Sequence, residues 1–190
     1  MAKLLITGFD KFGEHQENPT EKLVLSLQNK HKNIIAEVLP TSFSLAKSKV
    51  KRLLKKHQPD YAIHLGLNGT IDYIALENIA LNTEHASIKD NLGKQPVNKK
   101  ISKTGPLAIN SSLDLIHLEK QLTKKKIKAK QSYHTGTFVC NCVHYSSLYF
   151  IKENNLKTKA CFIHIPNNNK MSFSVLEKAI HTIISSLPIK

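Results

Sequence analysis

Cys140 closes the stretch Gly136-Thr-Phe-Val-Cys140, at a point where a loop gives way to a predicted helix. At the N-terminus of a helix, unpaired backbone N–H groups and the helix dipole stabilise a thiolate and can hold an oxyanion. Cys140 is therefore a candidate nucleophile for acyl transfer. A small thiol buried in the core is the alternative interpretation, and position alone favours neither.

A thiolate nucleophile needs a histidine nearby, and the chain has ten. His164 lies near the end of a predicted strand, where its ring could reach a site at the strand end, although a core histidine bonded to backbone fits the same pattern. His144 follows Cys140 by four residues and would share its helix face. His134 lies on the approach loop, and His64 lies inside a buried strand, where a structural role is expected. The residues alone leave the choice open.

A third group should orient the histidine and stabilise its charged form. Glu77 interrupts the apolar run Ile74-Ala-Leu-Glu-Asn-Ile-Ala-Leu81, and a carboxylate buried there would need a partner. The alternative for Glu77 is a strand-end carboxylate that faces water. Asp90 is a second candidate acid, but an Asp-Asn pair in a loop is more typical of a turn.

The cysteines do not have the spacing of a metal site. Cys140, Cys142, Cys161 and His164 give C-x-C followed by C-x-x-H, whereas zinc sites usually place two to four residues between the first pair of ligands. Residues 161 and 164 of one strand would also point to opposite faces. We therefore expect no metal, and Cys142 and Cys161 are most simply core thiols.

The rest of the chain alternates between strand and helix patterns, which predicts an α/β fold of three layers: a mostly parallel, twisted sheet with helices on both faces. Strands are predicted over residues 3–7, 34–39, 61–65, 73–82, 128–133 and 160–165. Helices are predicted from a cap at Asn18, over 45–56, 110–127 and 140–152, and from a cap at Ser174. Residues 90–105 are polar and read as a long loop. Glycines 8 and 66, the turn at 135–136 and Pro166 follow predicted strands and are expected near one edge of the sheet.

Composition limits the class of protein. The 190 residues suit one domain, 1–190, with a full core. The net charge of +14 comes almost entirely from scattered lysines, which lack the bidentate fork of arginine, so a solvated surface is expected rather than nucleic-acid binding. No apolar run is long enough to span a membrane, and no signal peptide is evident. Three cysteines cannot all pair, and we expect reduced thiols in a cytoplasmic protein.

Five segments together resemble the pyroglutamyl peptidase I family (pyrrolidone-carboxylate peptidases), which are cysteine peptidases. They are Leu5-Ile-Thr-Gly-Phe-Asp-Lys-Phe-Gly13 with Glu17-Asn-Pro-Thr20, Leu76-Glu-Asn-Ile-Ala-Leu-Asn82, Asp90-Asn91 with Gln95-Pro96, Gly136-Thr-Phe-Val-Cys-Asn141, and Phe162-Ile-His-Ile-Pro166. The segment ending in Cys-Asn141 is the most specific of them. The resemblance runs nearly from end to end, and the order and spacing of the segments also fit.

The resemblance implies a catalytic triad of Cys140, His164 and Glu77. It implies removal of an N-terminal pyroglutamyl residue from peptides through a thioester, without metal or organic cofactor. Self-association as a dimer or tetramer is expected on the same ground. The resemblance also implies the substrate-binding residues Phe9, Phe12, Asn18, Leu67, Phe138 and Val139.

The sequence departs from the family pattern at several positions. Where the family has a glutamine and a Gly-Gly pair, this chain has Leu65-Gly-Leu-Asn-Gly-Thr70, and Leu76 stands where proline is common. Ser87 occupies the position of an arginine near the active site, for which Lys89 could substitute. These departures leave two alternatives open: a relative that binds pyroglutamyl-like termini with little turnover, and a cysteine amidase with altered acyl specificity.

Overall fold

The computed structural model describes residues 2–13, 17–28 and 32–189. These ranges contain eight strands and five helices, which alternate except where the third to sixth strands follow one another. The strands are β1 (Leu4–Phe9), β2 (Ile34–Leu39), β3 (Tyr61–Leu67), β4 (Ile74–Glu77), β5 (Ile79–Leu81), β6 (Ala108–Asn110), β7 (Ala129–Ser132) and β8 (Lys159–Ile165). The helices are α1 (Pro19–Leu27), α2 (Phe43–His57), α3 (Leu115–Lys124), α4 (Val139–Glu153) and α5 (Phe173–Ser186).

The central sheet has six strands in the order β2-β1-β3-β8-β4-β7. β1, β3 and β8 are buried on both faces over nearly their whole length, as expected for the middle of an α/β sheet. One core cluster packs α1, α3 and α5 against one face, and a second packs α2 and α4 against the other. The predicted three-layer α/β/α fold with a mostly parallel sheet is therefore confirmed.

Strand direction has one consequence for the site. β2, β1, β3 and β8 are parallel, whereas β4 pairs with β8 antiparallel and with β7 parallel. The last two strands thus run against the other four. Glycines 8 and 66 and Pro166 lie toward the same end of the sheet, as predicted. The turn at 135–136 follows a strand that runs the other way, yet Thr135 and Gly136 line one cavity with Phe9 and Leu67, so this turn also comes close to the other three positions.

The predicted strand over residues 73–82 is two strands separated by Asn78. The backbone N–H of Asn78 donates to the carbonyl of Ser132, and its side-chain amide donates to the same oxygen at 2.9 Å. Ser111 N–H in turn donates to the carbonyl of Asn78. These contacts turn the chain out of the large sheet, so that β5 pairs instead with β6 in a two-stranded sheet beside α4.

Other element boundaries also differ from the prediction. The helix predicted over 110–127 begins only at Leu115, because Asp114 caps it by accepting from His117 N–H at 2.9 Å. The N-cap position of the last helix is Ser172 rather than Ser174, although the Ser172 side chain makes no capping hydrogen bond, and α2 begins at Phe43. The cap at Asn18 is confirmed, since its side chain accepts from the N–H of Thr20 at 3.1 Å. Residues 90–105 form a loop, as predicted.

Candidate active site

Cys140 is the second residue of α4, so its sulfur lies in the first helical turn. The helix is preceded by Phe138 in an extended conformation, which has no side-chain oxygen to cap the turn. The backbone N–H groups at this end are therefore available to a ligand, and the helix dipole favours negative charge there. Gly136, with φ of 79°, supplies the left-handed backbone conformation that turns the chain into this position.

Gly66 makes room for the Cys140 sulfur. A Cβ at position 66 would lie 2.8 Å from Cys140 Sγ and 2.7 Å from the Phe162 ring, closer than real contacts of this kind. Because residue 66 of β3 is glycine, the Cys140 thiol can lie against the sheet. Cys140 remains half-buried, whereas Cys142 and Cys161 are buried, and burial raises the pKa of both of those thiols.

His164 and Glu77 face each other across the antiparallel pair β4 and β8. His164 Nδ1 lies 2.7 Å from Glu77 Oε1, and the two residues are only 7% and 2% exposed. In the register, Glu77 is opposite Phe162 and His164 is opposite Ala75, so the two side chains are diagonal neighbours on one face of the sheet. The pairing of β4 with β8 thus keeps the Glu77 carboxylate within hydrogen-bond distance of the His164 ring.

The surroundings of His164 favour its charged form. Burial lowers its pKa, but hydrogen bonds to Cys140 and Glu77, and their negative charge, more than offset that effect and raise the pKa to about 9. Since Nδ1 is bonded to Glu77, Nε2 is the nitrogen left for the thiol. The structure therefore brings together the three side chains that were predicted as a triad, in an arrangement suited to a thiolate–imidazolium pair.

The other candidate groups have different partners. His144 is fully buried and is hydrogen-bonded to Thr135 and Ser111. His64 is bonded to Thr7 and Ser147, in accord with the expected structural role. His134 is exposed and accepts from Gly136 N–H.

Asp90, the alternative acid, accepts from three backbone N–H groups and so closes a turn. Burial raises the pKa of the Asp90 carboxyl, but the hydrogen bonds from backbone N–H groups together outweigh it, so the pKa lies below its usual value.

A cavity of about 240 Å³ opens beside Cys140 and His164. This is at the small end for ligand sites and suits a group the size of a single residue. All six predicted substrate-binding residues line it: Phe9, Phe12, Asn18, Leu67, Phe138 and Val139. Glu77 is not among the lining residues, so its contact with the site runs through His164.

Aromatic rings form one wall of the cavity. The rings of Phe12 and Phe138 are 6.0 Å apart, and Phe43 meets Phe138 edge-on at 5.4 Å. Phe9 lines the cavity and is also almost fully buried as part of the core. Asn18 fixes the loop that carries Phe12, because its amide donates to the carbonyl of Asp10 at 3.0 Å. The wall offers flat apolar faces of the kind that a small ring would contact.

Comparison with known proteins gives the family. The model of a family described as pyroglutamyl peptidase matches residues 2–187. A pyrrolidone-carboxylate peptidase of Brachyspira hyodysenteriae is 38% identical over 196 residues, which cover 97% of this chain and 98% of that protein.

The chain belongs to the pyroglutamyl peptidase family.

Solved structures of pyroglutamyl peptidases agree with this assignment. The pyrrolidone carboxyl peptidase of Thermococcus litoralis superposes with a TM-score of 0.94 at 34% identity, over 98% of this chain and 93% of that one. The pyroglutamyl peptidase I of Bacillus amyloliquefaciens gives 0.93 at 32% identity, over 98% and 97% of the two chains. Membership in the family makes this chain a cysteine peptidase, as the resemblance implied.

The departures from the family pattern fall at different distances from the cavity. Leu67, at the position of the glutamine, is 8% exposed and lines the cavity, so an apolar surface replaces a polar one there. Ser87 and Lys89 are both exposed and lie outside the lining. Among the described residues, the cavity lining contains no lysine or arginine, so the suggestion that Lys89 substitutes for the arginine gains no support.

Several lining residues were not predicted as site residues: Thr41, Asn68, Gly69, Thr135, Gly136 and Thr137. The clearest available signal was the sequence Thr135-Gly-Thr137, which overlaps the start of the nucleophile segment, since small residues with a glycine allow backbone to approach a ligand. Thr41 comes from the chain between β2 and α2, and only the three-dimensional fold brings it to the site.

Two further properties concern the described ranges only. Within them, no three His, Cys, Asp or Glu side chains form a group that could hold a metal ion. None of the five helices has the length and apolar character needed to cross a membrane.

Proposed function

We propose that Cys140, His164 and Glu77 are the catalytic triad with which this chain removes an N-terminal pyroglutamyl residue from peptides. The observation that carries the proposal is the contact set around His164: Glu77 on Nδ1 at 2.7 Å, and the Cys140 thiol within hydrogen-bond reach on the other side. Family membership supplies the substrate class, and the small cavity beside the sulfur is consistent with it.

In the first half of the reaction, the Cys140 thiolate attacks the carbonyl carbon between the pyroglutamyl ring and the next residue. The oxyanion that forms is stabilised by backbone N–H groups at the start of α4. The His164 imidazolium donates its proton to the leaving nitrogen, the C–N bond breaks, and the shortened peptide departs. A thioester between the pyroglutamyl group and Cys140 remains.

In the second half, neutral His164 takes a proton from water, which attacks the thioester carbonyl. The C–S bond breaks, pyroglutamate is released, and the thiolate–imidazolium pair is restored. Glu77 holds the imidazole in the correct orientation and stabilises its charge in both halves. The reaction consumes one peptide bond and one water molecule, and every proton transfer in it goes through His164.

Ring recognition is assigned to the aromatic wall. Phe9, Phe12 and Phe138 offer faces to the lactam ring, while Val139 and Leu67 complete an apolar surface around it. The cavity is too small for a long acyl chain, which favours an exopeptidase that acts on a terminal ring. Asn18 supports the wall from behind.

Altered acyl specificity is the second candidate, and Leu67 is the observation that favours it. An apolar side chain in the lining cannot donate a hydrogen bond to the lactam carbonyl, and such bonds are a strong source of discrimination. A cysteine amidase that prefers another small acyl group would follow. If the altered cavity still binds pyroglutamyl-like termini but hardly turns them over, the chain would be a binding relative of these enzymes.

The test is hydrolysis of a fluorogenic pyroglutamyl amide by the wild-type chain, with Cys140→Ser and His164→Ala alongside. We expect turnover by the wild type and loss of nearly all of it in both variants, with circular dichroism unchanged. A panel of prolyl, acetyl-alanyl and glutaminyl amides measures specificity. Preference for one of these acyl groups would support the amidase, and an absence of turnover with retained binding of 5-oxoproline would support the binding relative.

We further propose that residues 1–190 act as one domain in the cytoplasm and that the chain associates as a dimer or tetramer. The continuous six-stranded sheet supports a single domain. Three unpaired cysteines suit a reducing compartment. The expected partners are peptides with N-terminal pyroglutamate, and not nucleic acid or membrane.

A further inference from the structure

His144 is a buried titratable group that the proposed reaction does not use. It lies one helical turn after Cys140 on α4 and is fully buried. Both ring nitrogens are hydrogen-bonded: Nδ1 lies 2.6 Å from Thr135 Oγ1, and Nε2 lies 3.0 Å from Ser111 Oγ. An imidazole placed between two hydroxyl groups can orient both of them.

The direction of these hydrogen bonds follows from the proton of Ser111. Its hydroxyl donates to the backbone carbonyl of Glu77 at 2.7 Å, and a hydroxyl has only one proton to donate. Ser111 Oγ must therefore accept from His144, so the proton of the neutral ring is on Nε2. The Thr135 hydroxyl has two acceptors within reach, the carbonyl of Ile79 at 3.4 Å and His144 Nδ1 at 2.6 Å. Because the contact with the ring is much the shorter, we place the Thr135 proton there, so that Nδ1 accepts from Thr135. The result is one directed chain from Thr135 through His144 and Ser111 to Glu77.

The two ends of this hydrogen-bond chain, Thr135 and Glu77, contact the active site at different places. Thr135 is buried in the cavity wall, and its backbone N–H donates to the carbonyl of Ile79, just after the strand break. Glu77 carries the carboxylate that holds His164. His144 itself is on the helix that carries Cys140. This chain of hydrogen bonds thus joins three parts of the site: α4, which carries Cys140, the cavity wall at Thr135, and β4, which carries Glu77.

His144 is held neutral, which preserves the direction of the chain. Burial, followed by the electrostatic effect of His64 and then of His164, lowers the pKa of His144 well below 6.5. Its ring also packs 5.8 Å from the ring of Phe162, which lies 5.0 Å from that of His164. A protonated ring would have two donors, and its Nδ1 could no longer accept from Thr135.

We propose that His144 is a positioning residue for catalysis: as the neutral Nε2–H ring it fixes Thr135 and, through Ser111, the backbone of Glu77. The inference rests on the proposed function, because it assigns Glu77 the role of orienting His164. His144 touches neither substrate nor the reacting atoms. It acts by fixing the positions of Thr135, in the cavity wall, and of Glu77 relative to Cys140.

The structure offers a matched control for a purely structural role. His64 is also fully buried and also bridges two hydroxyl groups, Thr7 at 2.8 Å and Ser147 at 2.9 Å. Neither hydroxyl is bonded to the backbone of Glu77 or to the cavity wall. The same substitution at both positions therefore removes the same kind of buried imidazole, but only one of them is connected to the triad.

The experiment compares His144→Leu, His144→Gln and His64→Leu with the wild type on a fluorogenic pyroglutamyl amide. We expect kcat of His144→Leu to fall about tenfold with KM changed less than about twofold, the scale of one lost buried hydrogen bond. Glutamine can donate at one end and accept at the other, so His144→Gln should recover most of kcat. His64→Leu should lose stability but keep kcat within about twofold.

Several results would overturn the inference. These are a kcat for His144→Leu within about twofold of the wild type, equal losses in the leucine and glutamine variants, and an equal loss in His64→Leu. If His144→Leu does not fold, Ser111→Ala replaces it, since it cuts the same chain at its other link. An unchanged kcat in that variant would then be decisive against the role.

A readout without substrate separates this inference from the proposed function. Imidazole NMR of His164 reports the position of Glu77 whether or not the pyroglutamyl amide is cleaved. If the wild type is inactive, the proposed function fails, and the NMR titration alone then tests the positioning role of His144. A lower pKa of His164 in His144→Leu than in the wild type supports the positioning role, and an identical titration overturns it.

Discussion

Replacing Glu77 by glutamine removes a negative charge from the site with almost no change in shape. In the wild type, His164 Nδ1 donates to Glu77 Oε1 over 2.7 Å in an environment that excludes water. The second carboxylate oxygen, Oε2, is also buried and has no hydrogen-bond partner among the described residues. The charge of Glu77 is therefore concentrated on His164, and the Glu77→Gln variant should lose that stabilisation of the imidazolium.

The size of the effect can be bounded from the pKa of His164. A rise from 6.5 to about 9 favours the imidazolium by roughly 3–4 kcal/mol, at about 1.4 kcal/mol per pKa unit. Cys140 supplies part of this and burial opposes it, so we assign Glu77 the range of a charge-assisted hydrogen bond, about 1.5–3 kcal/mol. Expressed as a rate, kcat should fall about 10- to 150-fold. KM should change little, because Glu77 does not line the cavity.

The assay is kcat/KM for a fluorogenic pyroglutamyl amide between pH 5 and 10. Loss of the carboxylate lowers the pKa of His164, so the alkaline limb of the profile should move toward neutral pH. Glu84→Gln is the matched control. Glu84 is also buried, at 6% exposed, and is paired with Lys47 at 3.2 Å, but it lies outside the catalytic cavity. Its variant should be less stable yet keep kcat within about threefold.

A Glu77→Gln variant with kcat within threefold of the wild type and an unshifted alkaline limb would refute this reasoning. It would mean that His164 is oriented by something other than the carboxylate. A rise in KM without a fall in kcat would also contradict it, because Glu77 would then act on substrate binding.

Three further predictions concern Gly66, Phe12 and His64. Gly66→Ala should lower kcat about 100-fold and slow alkylation of Cys140 by iodoacetamide, since the new Cβ would lie 2.8 Å from the sulfur; wild-type alkylation rates would contradict this. Phe12→Ala should raise KM about tenfold, with a smaller change in kcat, because it removes one aromatic face of the cavity; steady-state kinetics measure both.

The third concerns stability at acid pH. Burial lowers the pKa of His64 to about 3, so the stability it contributes is present above its unfolded value near 6.5 and is lost as the pH falls. Urea unfolding should show the wild type losing up to about 1.4 kcal/mol per pH unit from this group below 6.5. His64→Leu should have a shallower slope, and equal slopes would rule out a neutral buried ring.

Local chemistry was enough to select Cys140 and Glu77 as candidates, whereas the full triad was implied by the resemblance to the family. Cys140 was identified by the Gly-Thr-Phe-Val segment before a helix, and Glu77 by a carboxylate in an apolar run. The choice of His164 over His144 needed more than the residues, because both are buried and polar in otherwise apolar elements. The structure shows the difference: His164 contacts a carboxylate, whereas His144 contacts two hydroxyl groups.

The parts that sequence could not predict depend on distant residues. The break at Asn78 follows from bonds to Ser132 and Ser111, which lie far along the chain. The reversal of β4 and β7 has no local signal, since an apolar strand reads the same in either direction. The requirement for glycine at position 66 likewise comes from a helix that begins some seventy residues later.

The antiparallel pair β4 and β8 divides the site into a fixed part and an adaptable part. Glu77 and His164 are held by the ladder of adjoining strands, and the hydrogen bonds from His144 through Ser111 to the backbone of Glu77 add to this support. The surfaces that meet the acyl group come instead from loops and element ends at residues 9–12, 67–69 and 135–139. Loops tolerate substitution far better than central strands do. A designer seeking a new acyl preference should therefore randomise these three segments while keeping Thr135 and Gly136, so that the groups that transfer protons stay in place.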